Sequence, residues 1–411
     1  MSTCITYAGI SSPRPPDLRG LDPVVHSGEP GLEPAPGRKP HICFVAPNAW
    51  PILSRSRDIR VVGGAEVQQG FIARALAERG YRVSMVTLDF GQPDGVEVDG
   101  IKVYKAHRPD EGVPVLRFVH PRMTKLWRAM KRVNADIYYQ RTSSIATTLT
   151  ALFCRHHGKR SIYAGASDMD FIPGQEEIKL ARDKWIYRFG LKRMDHVVVQ
   201  HAGQLGTYKR NYGRDATLIP SCYVPPPNAK HDRGGHVLWV ARLGEAKRPW
   251  LAVEVARRLA GHRVVMVGGS DGSRRGHELQ RMVQEAGATI PNLQVAGFVP
   301  YAEVDRYFDG ARVVLNTSLF EGFPNTFLQA WSRGIPTVAL LDTQSMEDDI
   351  PVSHVAQDVD DAALAVSRLM TDDLAWHQAS QRAARHFRRM HSVEAMLVRY
   401  EHLITTLGSP R

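Results

Sequence analysis

A strand-then-helix alternation runs along this chain twice, once on each side of a proline-rich break, and that repetition leaves few folds open. In the first half, residues 41–46 form an apolar run that reads as a buried strand. Residues 65–79 place Val67, Phe71, Ala75 and Leu76 near one helical face, and Gly80 follows where a helix-ending glycine belongs. Further strands are predicted at 82–87, 136–140, 161–164 and 196–199. The segment Val224-Pro225-Pro226-Pro227-Asn228 fits neither a helix nor a central strand, so 224–235 reads as a linker. Beyond it, strands fit 237–240, 264–267, 293–296, 313–316 and 337–340, with helices at 249–260, 277–286 and 302–308. Strands that alternate with helices form parallel sheets covered on both faces. The fold class is therefore α/β, with two doubly wound domains at 40–223 and 236–391 and a ligand between them. A chain of 411 residues also exceeds what one ordinary core holds. The end of the chain, 360–407, reads as helices only, and 392–411 as a separate terminal helix. Residues 1–39 are rich in Pro, Gly and Ser without apolar periodicity, the composition of a disordered leader.

No apolar run approaches the ~18 residues that cross a bilayer, and the N-terminus lacks a basic segment followed by an apolar one. Cys4, Cys43, Cys154 and Cys222 are scattered, which suits a reducing compartment, and a cytoplasmic protein is expected. The formal charge is +11. Arg117, Arg122, Lys125, Arg128, Lys131 and Arg132 surround Leu126, Trp127 and Met130. Arg182, Lys184, Arg188, Lys192 and Arg193 surround Trp185, Ile186, Tyr187 and Phe189. Each cluster fits either a solvated helix packed on the sheet or a peripheral contact with an anionic membrane. No nucleic-acid partner is expected.

Ligand chemistry gathers where strands hand over to helices. Ser318 to Thr326, with Glu321, Gly322, Phe323, Pro324 and Asn325, lies between the strand at 313–316 and a predicted helix at 327–331. Free backbone N–H groups there suit a phosphate, and a carboxylate, which only accepts hydrogen bonds, suits hydroxyls. Phosphate plus hydroxyls means a nucleotide or a sugar phosphate. Arg242 and Lys247 follow the first strand of the second half, where two cations could neutralise a diphosphate leaving group. Gly63-Gly64 opens the first long helix and permits close approach of a ligand or another backbone. Gly268, after the strand at 264–267, offers the same. Asp168 and Asp170 follow the strand at 161–164; they could meet an acceptor hydroxyl, act as a base, or cap the next turn. No motif signals a protein-bound metal, and no cofactor is expected.

Taken together and in order, Gly63-Gly64-Ala65-Glu66, the pair Arg242 and Lys247, and Glu321-Gly322-Phe323-Pro324-Asn325 resemble glycosyltransferase family four. The resemblance implies a GT-B fold of two Rossmann-like domains, a nucleotide-sugar donor held by the second domain, and retaining transfer without a catalytic metal. It also implies a final helix that crosses back onto the first domain. Within it, Arg242 and Lys247 match the pair that holds the donor diphosphate. Glu321 matches the first glutamate of an E-x₇-E motif, near the sugar hydroxyls. Gly322 to Thr326 match the loop that touches sugar and phosphate, and Gly63 and Gly64 the loop near the donor phosphate and acceptor. The chain departs from the pattern twice. Gln329 stands where the second glutamate normally holds the ribose, and the weaker amide bond costs roughly 1 kcal/mol. Asp168 lies nearest to the place of a histidine the family often carries.

The expected activity is transfer of a sugar from a nucleotide sugar to a hydroxyl of a sugar, glycan or lipid-linked acceptor, with cell-envelope or exopolysaccharide synthesis as a plausible setting. A nucleotide-sugar epimerase and a non-catalytic sugar- or nucleotide-binding relative are the alternatives.

Overall fold

The computed structural model describes residues 38–54, 63–112, 119–229 and 234–408. From Lys39 onward the described residues pack together as one unit. Almost all of the expected leader, together with Cys4 and Arg117, lies outside the described residues.

Two sheets carry the architecture. The first has β1 (Ile42–Val45), β2 (Val83–Thr87), β3 (Val96–Val98), β4 (Ile101–Lys105), β5 (Ile137–Arg141), β6 (Arg160–Ala164), β7 (His196–Val199) and β8 (Thr217–Leu218). Their order is β3-β4-β2-β1-β5-β6-β7-β8, parallel throughout except for β3 against β4. The helices around it are α1 (Trp50–Ser54), α2 (Gly64–Glu78), α3 (Thr124–Val133), α4 (Ile145–His156), α5 (Ala181–Leu191) and α6 (Ala202–Tyr212). The second sheet joins β9 (His236–Val240), β10 (Val264–Val267), β11 (Leu293–Gly297), β12 (Ala311–Asn316), β13 (Thr337–Ala339) and β16 (Ser353–Val355). It runs β11-β10-β9-β12-β13-β16, all parallel. A small antiparallel pair, β14 (Met346–Glu347) and β15 (Ile350–Pro351), interrupts the connection from β13 to β16. The flanking helices are α7 (Pro249–Arg258), α8 (Arg274–Thr289), α9 (Tyr301–Asp309), α10 (Asn325–Trp331), α11 (Val359–Thr371) and α12 (Asp373–His386), and a final helix, α13 (Val393–Gly408), follows them in the chain.

The central strands β1, β2, β5, β10 and β12 are buried at every residue. Helices cover both faces, so β1 and β10 read as unbroken apolar runs rather than alternating ones. In each sheet the chain steps outward from its first strand and then returns to the other side of it. The switch points therefore fall between β1 and β5, and between β9 and β12. Ligands bind at the carboxyl ends of strands flanking such a point.

The last helix belongs to the first sheet. Met396, Leu397, Tyr400, Leu403 and Ile404 of α13 are buried with Ile42 and Phe44 of β1 and Ile72 and Leu76 of α2. Each of these aliphatic side chains contributes about 1.5–3 kcal/mol by burial, as an upper bound. The Tyr400 and Tyr139 hydroxyls meet at 3.2 Å.

The two basic clusters have different fates. In α3, Leu126, Ala129, Met130 and Val133 are buried, and Trp127 packs edge-on against Phe153, so this helix is seated on the sheet. In α5, Tyr187 and Leu191 are buried but Trp185 is 61% exposed. Trp185 stacks on Phe189, and the Arg193 guanidinium lies 3.5 Å from the Phe189 ring centre.

Candidate active site

At the second switch point the loops after β9 and β12 are tied together. A 3₁₀ turn, Glu245–Lys247, follows β9. The Leu319 amide donates to Ala246 O at 2.8 Å, and the Thr317 hydroxyl donates to Lys247 O at 2.7 Å. These bonds bring the Lys247 ammonium onto the Glu321 carboxylate, which also accepts from the Ser318 hydroxyl at 2.7 Å. Both ends of this ion pair keep some exposure, 26% and 17%. Two residues singled out from sequence, 74 positions apart, thus meet at the sheet's ligand-binding edge.

Arg248, which sequence reasoning passes over, holds the arrangement. It adopts a left-handed backbone, φ 46°, that turns the chain into α7. Its guanidinium donates to Thr317 O at 2.7 Å and Ser318 O at 2.9 Å. Partial burial without a carboxylate depresses its pKa. Arg242, by contrast, is exposed. Its charge acts on Asp271: burial there favours the neutral acid, but bonds from Ser273 and the field of Arg242 outweigh it and hold Asp271 below its usual range.

The loop after β12 also faces the first sheet. A Cβ on Gly322 would collide with the Ala166 carbonyl and come within 3.0 Å of the Gln200 side chain, so this position requires glycine for close approach. Asn325 Oδ1 accepts from Gln68 Nε2 of α2 at 2.9 Å, and a Cβ on Gly64 would lie 2.7 Å from Asn325 Nδ2. Gly64 and Asn325, both read as ligand-loop residues, therefore meet each other; Gly63 lies beside them, and 55–62 falls outside the described residues. Phe323 turns inward instead, packing on Trp331 and on the buried imidazole of His391 at 4.8 Å. Pro324 precedes α10, and Thr326 lies in its first turn, half-buried. Gln329 is 2% exposed, and its amide nitrogen has no hydrogen-bond partner among the described residues. Gly268 follows β10 beside Ala241 at the end of β9, and a Cβ there would strike the Ala241 carbonyl.

The two aspartates after β6 divide the roles proposed for them. Asp170 is 1% exposed and caps the turn Asp168–Phe171, accepting from the Ala166 and Ser167 amides at 2.7 and 3.1 Å. Burial pushes its carboxyl pKa up. Asp168 faces outward and accepts from His201 Nε2 at 2.8 Å and Gln204 Nε2 at 2.9 Å. The sequence offers no histidine close to Asp168; the fold supplies one from the loop after β7, and its Nδ1 is buried without a partner. The cue is present, since Gln200-His201 also stands at the carboxyl end of a parallel strand. Among the described residues no group of three or more His, Cys, Asp or Glu is placed to hold a metal ion.

Twin parallel α/β sheets, with a cation, a carboxylate and close-packed glycines at their facing switch points, define a GT-B glycosyltransferase architecture. Solved structures agree. Sucrose-phosphate synthase from Thermosynechococcus elongatus superposes with a TM-score of 0.69 at 19% identity, covering 90% of this chain and 99% of that one. Anabaena HepE, in complex with UDP and glucose, gives 0.65 at 14% identity over 90% and 99%. The lipopolysaccharide outer core galactosyltransferase WaaB gives 0.59 at 16% identity over 89% and 99%. No curated protein sequence matches the chain. The Glycosyltransferase Family 4 model matches residues 62–223 and the Glycosyl transferases group 1 model matches 234–372. The protein belongs to the glycosyltransferases that these two models describe, one for each half of the chain.

Proposed function

We propose that this glycosyltransferase moves a sugar, with retention of configuration, from a nucleoside-diphosphate sugar to a hydroxyl acceptor. The observation that carries the reading is the Lys247–Glu321 pair at the β9/β12 switch point. A leaving diphosphate gains negative charge in the transition state, and cations already in place stabilise it without reorganising. Lys247 supplies one, partly shielded from water, and Arg242 the other from the rim. Glu321, held by Lys247 and Ser318, accepts from the hydroxyls of the transferred sugar. Gln329, whose amide nitrogen has no partner among the described residues, takes the nucleoside ribose. The acceptor enters from the first sheet, beside Asp168 and His201, and the departing phosphate takes the proton of the attacking hydroxyl. Side-chain cations provide the charge compensation in this scheme. Gly63 and Gly64 keep backbone close to the donor phosphate.

The HepE structures, one with UDP and glucose and one with UDP-glucose, support a uridine nucleotide as the first donor to try. WaaB, a lipopolysaccharide outer core galactosyltransferase, supports a cell-envelope glycan as the acceptor class. No helix among the described residues is long and apolar enough to cross a membrane. We propose that the exposed Trp185 and the cations of α5 give a peripheral contact with the inner membrane face. A thermal-shift screen against nucleoside diphosphates and nucleotide sugars tests the reading, because a ligand of the native state raises its melting temperature. A rise with one nucleotide series is expected; a flat screen would remove the donor assignment.

A further inference from the structure

Arg141 is the last residue of β5, at the switch point of the first sheet, and it is buried in an unusual way. Three arginines are buried among the described residues. Arg312 is paired with Asp373 at 2.7 Å, and Arg333 with Asp305 and Asp309 at 3.0 and 2.9 Å. Arg141, only 6% exposed, has no carboxylate within ion-pair distance among the described residues. Its one side-chain partner is the Ser221 hydroxyl at 3.2 Å, and its Nε is buried without any. An isolated charge in such a place is costly unless something compensates it.

The surroundings say where the compensation comes from. Alternation along β5 puts Arg141 on the face of Ile137 and Tyr139, above the contact of Tyr139 with Tyr400. Ser221 is its ceiling, and the next residue, Cys222, exchanges two hydrogen bonds with the Gln68 side chain, at 2.7 and 3.0 Å. Gln68 in turn reaches Asn325 of the loop that carries Glu321. The guanidinium therefore stands on the acceptor side of the cleft, two short steps from the donor loop. The donor diphosphate already has Lys247 and Arg242, so the anion that Arg141 awaits is a different one.

We propose that Arg141 is the anchor for a phosphate group on the acceptor, making the acceptor class a phosphorylated sugar or a lipid-borne phosphate. The inference rests on the sugar-transfer reading and deepens it. A planar guanidinium with free donors grips a phosphate with parallel bonds. Ser221, already bonded to Arg141 and to Gln200, fixes its orientation.

Calorimetry with inorganic phosphate, in the presence of UDP to fill the donor site, tests this on the wild type and Arg141→Gln. The expected result is saturable phosphate binding that weakens at least about tenfold in the variant, with UDP affinity unchanged. The unliganded variant should also melt no lower than the wild type, since it loses an uncompensated charge. Equal phosphate binding in both proteins, or none in either, overturns the proposal. So does a parallel loss of UDP affinity, which would place Arg141 on the donor instead. If UDP fails to bind the wild type while phosphate binding still depends on Arg141, the donor reading fails and the anion site stands. Glucose 6-phosphate and phosphatidylcholine vesicles doped with phosphatidic acid then distinguish the soluble from the lipid-borne source. An Arg141-dependent response to either supports the proposal.

Discussion

Gln68 and Asn325 stand 257 residues apart and share a hydrogen bond of 2.9 Å. The same Gln68 amide pairs with both backbone groups of Cys222. One buried side chain thus joins the first sheet's leading helix, the segment entering the linker, and the loop that carries Glu321. Replacing it with leucine keeps its bulk and removes all three bonds. Two buried backbone groups of Cys222 then lack partners, at about 1–3 kcal/mol each. Gln68→Leu should lower the urea midpoint and raise KM for the donor; an unchanged midpoint would mean that Cys222 finds other partners.

Close approach of the two lobes depends on a missing side chain. Gly322→Ala places a methyl group against the Ala166 carbonyl, and backbone cannot give way as a flexible side chain would. The lobes should settle farther apart. Small-angle scattering should show a larger radius of gyration, and transfer should fall by at least about tenfold, since small misplacements of reacting groups cost that much. Unchanged scattering and unchanged turnover together would show that this contact has no part in closure.

Acid sensitivity should centre on His391. It is buried between Phe323, Trp331 and His386, and Ser221 O accepts from its ring at 2.7 Å. Burial, reinforced by the neighbouring His386 and Arg399, pushes its pKa down from 6.5 to about 3. The unfolded chain therefore takes up a proton below about pH 6.5 that the folded one refuses until about pH 3. The contribution is complete above pH 6.5 and is lost as pH falls across that window, with a limiting slope of about 1.4 kcal/mol per pH unit. His386, paired with Glu347 and also depressed by burial, acts in the same direction. Denaturant melts between pH 7 and 4 should show a shallower pH dependence for His391→Gln, which can still donate to Ser221. Parallel curves would mean that His391 takes up its proton as readily in the folded chain as in the unfolded one.

How much of the fold and the site is legible in the sequence depends on what each residue answers to. The central strands announce themselves because both faces are buried: every residue of β1 and β10 is apolar, and β12 carries the apolar run Val313-Val314-Leu315. Strand β4 escapes a sequence reading because Lys102 breaks its run outward between Ile101 and Val103, and β3 because it is three residues long. Lys247 and Glu321 are readable as motif residues, each beside the strand that positions it. His201 does not pair with Asp168 by inspection, because they stand 33 positions apart and the chain between them is folded back by α5 and β7. Arg141, Gln68 and Arg248 leave no periodic signal, since a buried polar side chain is defined by what it meets in space. Gly268 carries a second demand that the sequence does not show: a glycine after a strand suggests a ligand, and the Ala241 carbonyl also leaves no room there for a side chain.

The most direct test is turnover of a nucleotide sugar by the wild type and by Lys247→Ala, matched for melting temperature. Removing a preorganised charge from a leaving group costs about 10²–10³-fold. A loss of that order in kcat, with the native fold retained, is the predicted result. Turnover near the wild-type rate would contradict the central claim, that Lys247 at the β9/β12 switch point draws off the charge of a departing diphosphate.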